Sequence, residues 1–100
     1  PTLEQSINNP PFKEQVDWEL DALDRANVIV FCFDPNGKAP ITLLELGLHI
    51  SGKATVFVCC PPGYWRKGNV DIVCARYNVP VHESIDELCE ELDLIFHPET

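Results

Sequence analysis

Apolar residues recur along this chain in two kinds of run. Phe12, Val16, Leu20 and Leu23 repeat at helical spacing, with Trp18 and Ala22 alongside. Lys13, Glu14, Asp17, Asp21, Asp24 and Arg25 fill the positions between. That period predicts a helix over roughly 12–26 with one solvated face. An unbroken apolar run, Val28–Phe33, reads as a strand covered on both faces. A second apolar helix is expected over about 42–51, stopped by Gly52. A second buried strand follows at Ala54–Cys60, a helix at about 70–77 and a short strand at Val79–His82. Ser84-Ile-Asp-Glu87 has the form of a capping box and opens a fourth helix, with Ile85, Leu88, Cys89 and Leu92 facing inward.

Helices alternating with apolar strands imply an α/β domain over residues 1–100, with a three-layer, doubly wound parallel sheet of flavodoxin-like or Rossmann-like type. Such sheets usually have about five strands, and only three are visible. A first β-α-β segment is therefore expected to be lacking from this chain. Strand one should then lie inside the complete sheet, with a companion segment or a second copy paired along it. The missing Met and the start at Pro1 point the same way, to a processed chain or a fragment.

Composition narrows the function. The net charge of −9, with seven basic residues, argues against binding a nucleic-acid polymer. No apolar run is long enough to span a bilayer, and no membrane partner is expected. The five cysteines are odd in number and fall on predicted helices and strands. That suits buried thiols in a reducing, cytoplasmic setting better than a secreted disulfide framework. Cys59-Cys60-Pro61 is a weaker hint of redox or metal chemistry. His49, His82 and His97 share no ligand spacing, so no metal and no cofactor is expected.

The loops after strands one and two leave the same edge of a parallel sheet. That topology brings Asp34, Asn36, Glu45, Tyr64, Trp65 and Asn69 within reach of one another, where α/β proteins bind ligands. Each has a plainer reading. Thr42-Leu-Leu-Glu45 fits a capping box, so Glu45 is either a catalytic carboxylate or a helix cap. Asp34 and Asn36 are turn formers in Asp-Pro-Asn-Gly. Trp18 packs and Glu19 is solvated on the plain reading of helix one. Tyr64 and Trp65 are platforms for a flat ligand or loop packing. Arg66 and Lys67 are placed to hold one phosphate.

Four segments carry a family resemblance: Phe12-Lys-Glu-Gln-Val-Asp-Trp-Glu-Leu20, Ala26-Asn-Val-Ile-Val30, Pro40-Ile-Thr-Leu-Leu-Glu-Leu-Gly47 and Gly68-Asn-Val70. In this order they resemble the nucleoside 2-deoxyribosyltransferase family, especially its deoxyribosyltransferase-like branch. The resemblance implies an enzyme that breaks and remakes the N-glycosidic bond of 2′-deoxynucleosides. It implies Glu45 as the nucleophile that takes the deoxyribosyl group, Glu19 as an acid holding sugar hydroxyls, and Asn69 as a residue reaching a neighbouring subunit's sugar site. A homo-oligomer, or a companion N-terminal fragment, follows from the same resemblance.

Two departures stand against the family pattern. An Asp often lies six residues before the nucleophile and assists the leaving base; here that position is Ala39, and Asp34 or a residue outside the chain would have to serve. The family's first strand and its base-holding loop should precede Pro1. The leading expectation is transfer or cleavage of the N-glycosidic bond of a nucleoside or nucleotide. The alternatives are an N-glycosidase, with water as acceptor, and a non-catalytic nucleotide-binding or assembly module. Sequence does not choose between purine and pyrimidine, or between ribose and deoxyribose.

Overall fold

The computed structural model describes residues 5–96; the expectations for residues 1–4 and for His97 lie outside them. Four helices and three strands alternate: α1 (Pro10–Arg25), β1 (Val28–Cys32), α2 (Pro40–His49), β2 (Thr55–Cys59), α3 (Lys67–Arg76), β3 (Val81–His82) and α4 (Ile85–Phe96). The strands form one parallel sheet in the order β1-β2-β3. This is the three-layer α/β architecture that the alternating pattern implies.

The register pairs Ile29 with Val56, Phe31 with Val58 and Cys32 with Cys59. Side chains alternate across a strand, so Ile29, Phe31, Phe33, Val56, Val58 and Cys60 share one face. Leu46 and Ile50 of α2 and Val70 and Cys74 of α3 close over them. Phe57 and Cys59 point the other way, against Leu88 and Leu92 of α4. The main core is thus the layer between the sheet and α2–α3. Truncating a residue as enclosed as Leu46 there should cost about 2–5 kcal/mol.

Strand one departs from the expectation of cover on both faces. Ile29 and Phe31 are buried, but Val28 and Val30 are 40% and 43% exposed. The reason lies in α4, which packs over β2 and β3 and leaves the same face of β1 open. Among the described residues β1 also has a strand on one side only. Cys32 and Cys89 are exposed as well, whereas Cys59, Cys60 and Cys74 are buried. The reading of all five as buried thiols therefore holds for three.

Element boundaries moved where proline acted. Helix α2 starts at Pro40, two residues before the expected start, because Pro40 fits the first helical position: its ring presets φ and no N–H is needed there. Ala39 precedes it in the left-handed region, at φ 45° and ψ 52°. Strand β3 shrinks to Val81–His82, since Pro80 has no N–H to give the ladder. The capping box of α4 forms as expected: the Glu87 N–H donates to Ser84 Oγ at 3.1 Å, and Glu87 Oε1 accepts from the Glu83 N–H at 3.1 Å.

Candidate functional site

Two helical stripes face each other across a groove. On α1 the stripe is Phe12, Val16, Glu19 and Leu20; on α2 it is Ile41, Leu44, Glu45 and Leu48. Both sets follow helical spacing, so each stripe is apolar with a single carboxylate in it. The groove has a volume of about 690 Å³. Its α2 wall is apolar and open, with Ile41, Leu44 and Leu48 all exposed. Glu19 and Glu45 are both half-buried in it.

This placement reverses the plain reading of helix one. Trp18 is 68% exposed, while Glu19 turns inward. The spacing explains why. Glu19 is seven residues after Phe12 and three after Val16, on the same face, whereas Trp18 falls off that face.

It also removes the capping role for Glu45. With Pro40 as the first helical residue, Thr42 and Glu45 lie inside α2. Thr42 is not the cap, and Glu45 sits past the first turn, beyond the free N–H groups of the helix start. Burial pushes the Glu45 carboxyl above its ordinary range, the negative charge of Glu19 adds to this, and His49 opposes it. Two carboxylates in one apolar groove can therefore differ in proton affinity, as acid–base and nucleophilic chemistry requires.

The other expected site residues do not join this groove. Asp34 is a turn former: its Oδ1 accepts the Asn36 N–H at 2.9 Å, and its carbonyl accepts the Gly37 N–H at 3.1 Å. Tyr64 is buried against Phe33, with ring centroids 4.7 Å apart. Its hydroxyl donates to the Lys38 carbonyl at 2.5 Å, and Trp65 Nε1 donates to the same carbonyl at 2.9 Å. These two aromatics tie the loop after β2 to the loop that launches α2. Arg66 lies over the Trp65 ring, 4.4 Å from its centroid.

Asn69 lines a separate cavity of about 300 Å³ between α2 and α3, with Leu43, Gly47 and Arg66. That cavity is on the other side of α2 from Glu45. Lys67 is engaged rather than open to a phosphate. It donates to the Cys60 carbonyl at 3.0 Å and pairs with Asp71 and Glu83, each at 3.1 Å. These contacts pin the end of β2 to α3 and to the segment after β3.

His49 is the residue that sequence reasoning passed over. It lies on α2 four residues after Glu45, and its Nε2 is buried without a hydrogen-bond partner among the described residues. The signal was its spacing from Glu45, not any spacing from the other histidines.

No curated protein matches the chain. Residues 1–64 match the family model described as nucleoside 2-deoxyribosyltransferase like. The match takes in α1, β1, α2 and β2, and so both carboxylates of the groove. With that share of its length matched, the chain belongs to the nucleoside 2-deoxyribosyltransferase-like family.

Proposed function

We propose that this protein cleaves or exchanges the N-glycosidic bond of a 2′-deoxynucleoside at the α1–α2 groove, with Glu45 as nucleophile and Glu19 holding sugar hydroxyls. The observation that carries this reading is the pair of carboxylates, one from each helix, in a single apolar groove of about 690 Å³. A nucleoside has the matching chemistry. Its sugar offers hydroxyls to a carboxylate, and its base offers flat apolar faces to leucine and isoleucine.

The reaction divides into two steps. Glu45 attacks the anomeric carbon as the bond to the base nitrogen breaks; the electron pair leaves with the base, which takes up a proton. A glycosyl ester of Glu45 results. A second base, or water, then attacks the same carbon and releases the Glu45 carboxylate. Each transition state resembles an oxocarbenium ion, so a nearby anion stabilises it. The groove's low polarity strengthens that interaction. Family membership supports Glu45 in this role, because its segment lies in the matched region.

The test is to trap the ester. A 2′-fluorinated deoxynucleoside forms the intermediate and releases it slowly, because fluorine destabilises the charged transition state. Intact mass and peptide mapping should place one fluorodeoxyribosyl group on Glu45. Product analysis with an added free base then separates exchange from hydrolysis. Turnover with label on another residue would overturn the assignment of Glu45. No label and no cleavage of any nucleoside would leave a binding module as the correct reading.

A further inference from the structure

Two half-buried carboxylates that share an apolar groove repel each other, and one of them must stay ionised to act as a nucleophile. The residues lining the groove include no Lys or Arg. His49 is placed to supply the missing positive charge. It follows Glu45 by one helical turn, so the two side chains share a face of α2. It also stands in the last turn of α2, the end where a helix favours a cation. Its Nε2 is buried and has no partner among the described residues, so no structural hydrogen bond occupies that nitrogen. Buried polar atoms without a partner are uncommon and call for a physical reason.

We propose that His49 is a positioning residue for Glu45: as an imidazolium it offsets the charge of Glu19 and keeps Glu45 ionised for attack. The proposal rests on the reading of Glu45 as nucleophile. The charged groups around the ring come from each neighbouring element. Glu45 lies on its own helix and Glu19 on α1. Asp24 at the end of α1 and Lys53 after α2 line an adjoining cavity of about 430 Å³ together with His49. That cavity shares Leu20 and Leu48 with the groove, so the two are continuous along the α1–α2 seam. Asp24 favours a charged ring and Lys53 opposes it. The electrostatics at Glu45 have the same sense, since His49 lowers the proton affinity that burial and Glu19 raise.

The experiment is a carbon-13 titration of glutamate side-chain carboxyls in the purified chain, with Glu45 assigned by the signal lost in Glu45→Gln. In His49→Gln the Glu45 midpoint should move to higher pH. In His49→Lys, which keeps a cation one turn away, it should return toward the native value. The acidic limb of deoxynucleoside cleavage should shift in the same direction as the midpoint, with little change in KM. A folded His49→Gln protein with an unmoved Glu45 midpoint would overturn the proposal. Should that variant fail to fold, the native protein still decides the matter. Its Glu45 carboxyl signal must show a second inflection that coincides with titration of the His49 ring, and a single inflection refutes the coupling. The two readings fail differently. Full turnover by Glu45→Gln removes the nucleophile, and with it any catalytic part for His49. An inactive Glu45→Gln protein alongside an unmoved midpoint removes only the assignment of His49.

Discussion

Glu45 is a carboxylate in an unfavourable place, and that can be measured apart from catalysis. Its pKa is raised in the folded chain above 4.5 by burial first and by Glu19 second. The folded state therefore binds the proton more tightly than the unfolded state does. Stability from this group is fully present below the unfolded pKa and is lost as pH rises through the folded pKa. Replacing Glu45 with Gln removes that loss. We expect Glu45→Gln to raise the melting temperature at pH 7, with the gain shrinking as the pH approaches 4. The same substitution should lower turnover by on the order of 10³-fold or more, as loss of a nucleophile does. Paired melting and rate measurements across pH check both halves. A Gln variant that is less stable at neutral pH would mean that Glu45 makes a supporting contact instead. Activity of the native chain should begin to fall, on acidification, at a higher pH than an ordinary glutamate would set.

Helix α2 carries Glu45, and the connection before it decides where the helix points. Tyr64 and Trp65 both donate to the Lys38 carbonyl, and the next residue, Ala39, takes a left-handed conformation before Pro40 starts the helix. An L-residue with a Cβ pays roughly 1–2 kcal/mol for that conformation. Glycine avoids the steric part but loses more entropy on folding. Ala39→Gly should therefore stabilise the fold by about 0.5–1 kcal/mol, and Ala39→Val, branched at Cβ, should destabilise it by more than that. Tyr64→Phe removes one of the two donors and should cost about 0.5–1.5 kcal/mol. Chemical denaturation of the three variants checks the signs; a destabilised Ala39→Gly would show that the loop does not hold this backbone in solution.

How much of these elements the sequence disclosed follows from the same physics. The two apolar runs located β1 and β2 within a residue or two, because buried parallel strands have few other solutions. The capping box gave the start of α4 correctly, because both of its partners are local. A near-identical signature at Thr42–Glu45 misled, because Pro40 offered a better first residue two positions earlier. Inward-facing Glu19 was legible from its spacing to Phe12 and Val16, but only once the stripe was read with a charged residue inside it. Tyr64 and Trp65 converge on the Lys38 carbonyl across more than twenty positions of sequence, and no local pattern carries such a contact. The separation of Asn69 from Glu45 depends on which sides of α2 meet α1 and α3, and helical period alone leaves that open.

At the scale of the whole molecule the unsettled element is β1. The Phe33 N–H donates to Cys59 O and the Thr55 N–H donates to Asn27 O. In a parallel pair these bonds alternate, so the backbone groups of Val28, Val30 and Cys32 point to the open edge. Val28 and Val30 also show apolar side chains on the uncovered face. An open edge with exposed valines is a template for pairing, and its backbone groups gain partners when another strand arrives. The net charge of −9 opposes association of copies, and salt screens that repulsion over about 10 Å at 0.1 M. The chain is therefore expected to associate along β1 more strongly as ionic strength rises, the opposite of a complex held by ion pairs. Val30→Lys places a charge on this edge strand and should shift the population back to monomer while leaving the core intact. Sedimentation velocity at low and high salt, with and without the substitution, measures both effects. Amide exchange adds the location: Val28, Val30 and Cys32 should exchange slowly in the associated form and quickly in the monomer. A chain that stays monomeric at high salt, with those three amides already protected, would show that β1 has found its second strand within a single molecule.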